Sequence, residues 1–597
     1  MPKTIYQYFL ESANKYPQST ALMYKKQGQY QKITYEEFKN QVDALARGLA
    51  RLGIKKGDTV GIYSYNRPEW AITDLAILKL GAIVVPIYHV LSPFYVKYII
   101  NDAKLRLLFI ENATLLTAFN TIKHETTNLE KIVLFDDSGI ENDTNFLRFS
   151  NMIKPEDNKP ISEGNISGSD IATIVYTSGT TGEPKGAILT HSNIISNTIS
   201  GMNIFNISHN DVIMSYLPLS HMFERTAGYY VMVFAGGVIG YAENLTTIVE
   251  DVAKIRPTLL ITLPRVLEKA YQTATEKIEK GPTITKKLVY SAIKNLNEYA
   301  NLKYKKLPIP RGLKIKRVIY DKLVAKKFRK IAGGRLRLLV SGGAPLNRMI
   351  GKIFYILGFT VVEGYGLTET SPVVSGGPIH DARLGTVGKL FPDVQVKIGD
   401  NQEILVKGPN VMLGYYNKPE ETAKAIDKDG WFHTGDQGKF DEFGNLVITG
   451  RIKELIVTSY GKKIAPIPIE ERLCKCGYID QVLLFGDNKN FIVALIVPRK
   501  NSLEFYAKNK NIPVKDYSQL LEHSEIKSLI KKEIYVACQD LAPYEKVKAF
   551  ALLTEGFTIE NGLLTPTLKL RRSKVIEKYH NLIEEIYEKA QKDKDNS

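Results

Sequence analysis

Short apolar runs at Thr59-Val-Gly-Ile-Tyr63, Ala82-Ile-Val-Val-Pro86, Arg106-Leu-Leu-Phe-Ile110 and Lys131-Ile-Val-Leu-Phe135 alternate with helical patterns such as the one over 35–50. That alternation constrains the fold most, because a helix between two buried strands returns the chain to the same edge and makes the strands parallel. A second set of strands is read at Val212-Ile-Met-Ser-Tyr216, Leu259-Leu-Ile-Thr-Leu263 and Leu336-Arg-Leu-Leu-Val340. From Val387 onward the pattern shifts to short strands broken by Gly, Pro and Asn turns, as in Gln395-Val-Lys-Ile398, which suits a small barrel-like lobe. A last αβ segment opens near Gly450. At 597 residues the chain is too long for one core. The expected fold is α/β: a large N-terminal domain over 1–452, with two helix-covered β-sheets and the barrel-like lobe, then a small α+β C-terminal domain over 453–597.

The formal net charge of +17 is concentrated. Between Lys280 and Lys330, sixteen Lys and Arg stand against Glu298 and Asp321. There Ile284, Leu288, Ala292, Ile293, Leu296, Tyr299 and Ala300 fall near helical spacing, so a basic helical insertion is expected over about 270–332. A solvated surface helix and a peripheral contact with an anionic membrane both fit it. Nucleic acid does not, since no recognised nucleic-acid module accompanies the charge. The three cysteines, Cys474, Cys476 and Cys538, are too few for a disulfide framework. The N-terminus lacks a secretory h-region, and the longest uncharged run, Thr226 to Ala242, is shorter than a span of about 20 residues. A cytoplasmic protein is expected, possible contact being at the inner face of the membrane; oligomeric state is not legible.

The chemistry starts where a strand enters Thr177-Ser-Gly-Thr-Thr-Gly-Glu-Pro-Lys-Gly186. Gly179 and Gly182 let backbone N–H groups approach anionic oxygens; Thr177, Ser178, Thr180 and Thr181 add donors, and Lys185 adds a mobile charge. The spacing differs from the Walker P-loop. Ser341-Gly342-Gly343-Ala344-Pro345 is a glycine-rich turn after a strand, with room for a flat ring. In Glu363-Gly364-Tyr365-Gly366-Leu-Thr368-Glu369-Thr370, Tyr365 suits purine stacking, Thr368 a phosphate and Glu369 a magnesium ion. Asp436, in Asp429-Gly-Trp-Phe-His-Thr-Gly-Asp436, suits two ribose hydroxyls, with Arg451 in support.

These motifs, in this order, resemble the signatures of the adenylate-forming (AMP-binding) superfamily, and Pro218-Leu-Ser-His-Met-Phe-Glu-Arg225 and Leu563-Leu-Thr-Pro-Thr-Leu-Lys-Leu-Arg-Arg572 resemble those of its long-chain fatty acyl-CoA synthetases. The resemblance covers nearly the whole chain. It implies ATP, magnesium and coenzyme A as cofactors and a fatty acid as substrate. His221 would sit beside the acyl carboxylate, Lys569 would enter the active site during adenylation, and Lys453 would be the hinge about which the mobile small domain turns. Ser459, Tyr460 and Gly461 would form the loop lining the thiol tunnel. Members of the family commonly carry Gly after this serine, and Tyr460 leaves the acceptor open between coenzyme A and a fatty acyl carrier protein. A noncatalytic fatty-acid-binding protein on the same scaffold is the alternative from another class; intact Lys569, Glu369 and Asp436 speak against it.

Overall fold

The computed structural model describes residues 2–595 apart from 140–144, 155–164, 178–182, 245–246, 305–306, 380–381, 453–454, 461, 514–515, 559 and 565–569. Two compact units are present. The larger comprises Met1–Lys397, Leu405–Thr434 and Phe440–Val447; the smaller comprises Ile398–Ile404, Gly435–Lys439 and Ile448–Ser597.

The larger unit is built on two sheets. An eight-stranded sheet runs Gly414–Tyr415, Lys185–Thr190, Ile171–Thr177, Ile83–Ile87, Thr59–Tyr63, Leu107–Ile110, Lys131–Leu134, Leu147–Arg148. Thr59–Tyr63, Ile83–Ile87 and Leu107–Ile110 are buried at every residue, which is why they read as continuous apolar runs rather than as alternation. On one face Tyr63, Ile83, Val85, Ile87, Leu108 and Ile110, with Val96, Ile99 and Ile100 from the helix Pro93–Asp102, belong to one apolar core.

A nine-stranded sheet runs Lys389–Leu390, Val373–Gly376, Thr360–Gly366, Leu338–Ser341, Leu259–Thr262, Val212–Ser215, Val238–Tyr241, Thr20–Lys26, Gln29–Thr34. The last two strands come from the N-terminal segment, with Leu22 beside Ile239 in parallel register. That long-range pairing has no sequence signal, and it ties the first 35 residues to the second sheet rather than to the neighbouring alternation. The lobe expected after Val387 contains a four-stranded sheet in the order Gln395–Ile398, Glu403–Lys407, Phe432–Phe440, Leu446–Arg451.

The basic insertion is helical, with Pro264–Glu279, Thr283–Tyr304, Arg311–Tyr320, a π-helical turn Asp321–Ala325 and Lys326–Ile331. In Thr283–Tyr304 the inward stripe is Val289, Ala292, Leu296 and Ala300, while Ile284 stands in solvent, 82% exposed. In the smaller unit the strands Ile479–Phe485, Val493–Pro498 and Ala549–Leu552 carry a core with Leu503, Ile526, Ile530 and Ile534. Cys474, Cys476 and Cys538 are free thiols in or against that core. Among the described residues no helix is long and apolar enough to cross a membrane.

Candidate active site

The strand Ile171–Thr177 pairs antiparallel with Lys185–Thr190, so the hydroxyl-and-glycine loop joins adjacent strands and Thr177 lies opposite Lys185. Ser178, Gly179, Thr180, Thr181 and Gly182 lie outside the described residues. Beyond Lys185 the chain turns directly into the helix His191–Ile204, started by a reciprocal cap in which Thr190 Oγ1 accepts from Asn193 N–H and Asn193 Oδ1 from Thr190 N–H. The spare amide hydrogens of Asn193 reach the carbonyls of Pro409 (2.7 Å) and Val411 (3.0 Å). At the next residue, Met412 N–H donates to the Glu369 carbonyl at 2.9 Å. The strand Gly414–Tyr415 then closes the edge of the sheet against Ile188 and Ala187.

This pairing sets a tyrosine between the two charged residues singled out by the sequence. Tyr415 donates its hydroxyl to Glu369 Oε1 at 2.9 Å, and the Lys185 ammonium lies 5.2 Å from its ring centroid. Burial, reinforced by the Glu369 carboxylate, raises the Tyr415 pKa well above the phenol range, so the hydroxyl stays a donor. Lys185 itself is paired with Glu421, from the helix Pro419–Ala425. Hydrogen bonding from Lys185, with Lys424 adding to it, holds Glu421 down at about 2.

The Gly-Tyr-Gly motif ends the strand Thr360–Gly366 rather than capping a helix. A Cβ on Gly366 would fall 1.8 Å from the Pro372 carbonyl oxygen, so only glycine fits this close approach. Glu363 braces the region: its carboxyl accepts from Gly385 N–H at 2.6 Å and from Leu346 N–H at 3.3 Å, tying the 341–345 turn in place. Burial pushes Glu363 up to about 7 against the pull of those two N–H groups. Gly342 is buried against the ring of Phe223, whereas Gly343 and Ala344 are exposed. Gly364, Tyr365 and Thr368 are half-buried beside them, and Glu369 shares the short 3₁₀ turn Thr368–Thr370 with Thr368.

His221 precedes a π-helical turn, Phe223–Tyr230, an uncommon geometry often found at functional sites. Its ring lies 5.1 Å from that of Tyr88, and burial together with the charge of His221 holds His89 down at about 4. Two buried groups on this turn behave differently. Arg225 is bonded on every side, to Asp74, Thr173 and Tyr230, with Trp70 under the guanidinium. Glu224 is as deeply buried, yet neither carboxylate oxygen has a well-formed hydrogen bond among the described residues. Burial pushes it up to about 8, with the Ser215 hydroxyl nearby opposing only in part, so it is neutral at neutral pH.

In the smaller unit Arg451 donates from Nε to Asp436 at 2.6 Å, the carboxylate being buried and the arginine a third exposed. Ser459 Oγ is 2.6 Å from Asn490 Oδ1, and Tyr460 is 72% exposed in the turn between the strands Ile456–Val457 and Lys463–Ile464. Lys453, Gly461 and Lys569 lie outside the described residues. Sequence reasoning missed Tyr415, Glu421, Glu224 and the Tyr88-His89 pair. The last two carried a faint signal as polar groups at the ends of apolar runs; the first two carried none.

The chain belongs to the AMP-binding enzyme family, which it matches over residues 9–416, and it matches the AMP-binding enzyme C-terminal domain over 453–591. A long-chain-fatty-acid–CoA ligase of Mycobacterium bovis is 34% identical, covering 94% of this chain and 93% of that protein. The peroxisomal long chain acyl-CoA synthetase 6 of Arabidopsis thaliana is 32% identical over 94% of this chain and 82% of its own. Among solved structures, the adenylation domain of a carboxylate reductase from Mycobacterium chelonae superposes with a TM-score of 0.77 at 22% identity, over 98% of this chain and 91% of that one. An anthranilate CoA ligase in complex with anthranoyl-AMP does so with a TM-score of 0.74 at 18% identity, over 98% of each chain. These likenesses establish the α/β fold with a separate C-terminal domain.

Proposed function

We propose that this chain is a long-chain fatty acid–CoA ligase of the AMP-forming type. The observation that carries the reading is the Lys185–Tyr415–Glu369 arrangement at the mouth of the hydroxyl-and-glycine loop, in a chain whose relatives bear that activity. A fatty carboxylate is already ionised at neutral pH, so adenylation needs no general base. A carboxylate oxygen attacks the α-phosphorus of ATP; the bond to pyrophosphate breaks, leaving an acyl-adenylate. Lys185, the loop N–H groups and Lys569 neutralise charge spreading over the phosphates. Asp436 and Arg451 hold the ribose, Tyr365 and the Gly342-Gly343-Ala344 turn the adenine, and His221 the acyl carboxylate. The thiol then attacks the acyl carbon, releasing AMP and its own proton.

A magnesium ion fits Glu369. Its Oε2 carries no hydrogen bond among the described residues, and no cluster of three or more His, Cys, Asp or Glu side chains forms there, so phosphate oxygens would complete the shell, as this ion prefers. When bound it supplies charge neutralisation at the phosphates. We place the domain boundary at 452/453, with Lys453 as the hinge, and Ser459, Tyr460 and Gly461 beside the incoming thiol. Peripheral contact with an anionic membrane through 280–330 belongs to the same reading.

The acceptor is tested by supplying coenzyme A and an acyl carrier protein separately with fatty acid and ATP. Thioester on coenzyme A is expected. Thioester on the carrier alone would shift the assignment to an acyl carrier protein synthetase, the alternative that the exposed Tyr460 keeps in view.

A further inference from the structure

The helix Arg311–Tyr320 has a buried side and an unpartnered one. Leu313, continued by Val324 and Ala325 of the next turn, faces inward, and Val324 meets Val289 and Ala292 of the preceding helix. Opposite, Ile315, Val318 and Ile319 are 62%, 68% and 49% exposed. Their i, i+3, i+4 spacing makes one stripe, and Leu323 prolongs it at 44% exposure. Lys314 and Lys316 lie on either flank and Lys322 one turn along; none of the three side chains forms an ion pair among the described residues. Over 311–331 nine Lys and Arg face a single acidic residue, Asp321, which is occupied by Arg329.

Three β-branched aliphatic side chains standing in water beside free ammonium groups do not serve a solvated helix. A second copy of the chain would bring the same dense positive charge to the interface, and RNA would leave the stripe uncovered. An anionic lipid surface satisfies both halves, taking the apolar stripe at the headgroup boundary and the lysines at the phosphates. We propose that this outward face of Arg311–Tyr320 seats the enzyme on an anionic bilayer. The proposal rests on the ligase reading for its purpose, because a long-chain fatty acid partitions into bilayers and would be taken from the surface on which the enzyme sits.

The test is co-sedimentation of the full chain with vesicles of phosphatidylcholine alone and of phosphatidylcholine mixed with phosphatidylglycerol, at low and high salt. Two variants are compared: I315Q/V318Q/I319Q, which removes the stripe, and K314E/K316E/K322E, which reverses the flanks. All six positions are exposed, and unchanged melting temperatures verify the fold. The full chain is expected to bind the mixed vesicles, more weakly as salt rises. Each variant should need about tenfold more lipid for half-binding. Both should keep acyl-CoA formation from detergent-dispersed fatty acid and lose it in proportion from vesicle-borne fatty acid. Variants that bind like the unmodified chain, salt-insensitive binding to neutral vesicles, or variants that change only self-association would overturn the proposal. Acyl-CoA formation without vesicle binding sinks the docking face alone; vesicle binding lost with the stripe, in a protein that forms no acyl-CoA, sinks the ligase reading alone.

Discussion

Two cation–carboxylate pairs in the larger unit share one attraction and have opposite uses. Arg225 and Asp74 are both fully buried, and the guanidinium also donates to Thr173 and Tyr230 while Asp74 Oδ2 accepts from the Tyr230 hydroxyl. Lys185 and Glu421 are 29% and 35% exposed, on a strand end and a short surface helix. Removing one member of a buried pair strands an uncompensated charge, whereas an exposed pair is screened by water and exchanges partners readily. The first pair therefore fixes the π-helical turn that follows His221, and the second, in the proposed reading, is exchanged when a phosphate takes the place of Glu421.

The largest effect expected from this contrast is on the buried side. Asp74→Ala should destabilise the larger unit by about 3–5 kcal/mol in urea denaturation, since the Arg225 charge is left without its partner. A change small enough to match a surface pair would break the comparison. On the exposed side, Lys185→Ala should leave the melting temperature nearly unchanged while lowering fatty-acid-dependent adenylation by about 10²–10³-fold.

Glu224 sharpens the same point through pH. Its folded pKa of about 8 lies above the ordinary glutamate value, so it binds a proton in the folded state over a range where the unfolded chain has released it. The stability it permits is complete below about pH 4.3 and falls by up to about 1.4 kcal/mol per unit as pH rises through 8. Denaturation midpoints measured between pH 5 and about 9 should show that slope flattened in Glu224→Gln. An unaltered slope would mean that the carboxyl is solvated or paired. The smallest effect is assigned to Glu421→Gln, which should not shift the melting temperature and should leave adenylation within a fewfold of normal. A loss as large as that of Lys185→Ala would make Glu421 part of the working site rather than a resting partner.

What was legible in the sequence follows the same division. Parallel strands announced themselves because helices bury both faces, and the glycine of the 363–370 motif because close backbone approach demands it, as at Gly366 against the Pro372 carbonyl. Tyr415 and Glu421 were not legible. They reach Glu369 and Lys185 through the pairing of a two-residue edge strand, across 46 and 236 residues, and edge pairing leaves no periodicity behind. Glu224 carried only the faint signal of a polar group at the end of an apolar run; the π-helical turn sends Arg225 to Asp74 and leaves the Glu224 oxygens without a well-formed hydrogen bond among the described residues. The amphipathic reading of the insertion was sound for Ala292, Leu296 and Ala300, missed the buried Val289 and wrongly included Ile284, and the face left uncovered belongs to the next helix, which the sequence reading did not single out.

The most direct measurement is exchange of labelled pyrophosphate into ATP in the absence of any thiol. The account predicts exchange that requires a long-chain fatty acid and collapses in Lys185→Ala while that protein stays folded. Exchange that is absent from the unmodified chain, or that proceeds equally without Lys185, would contradict it.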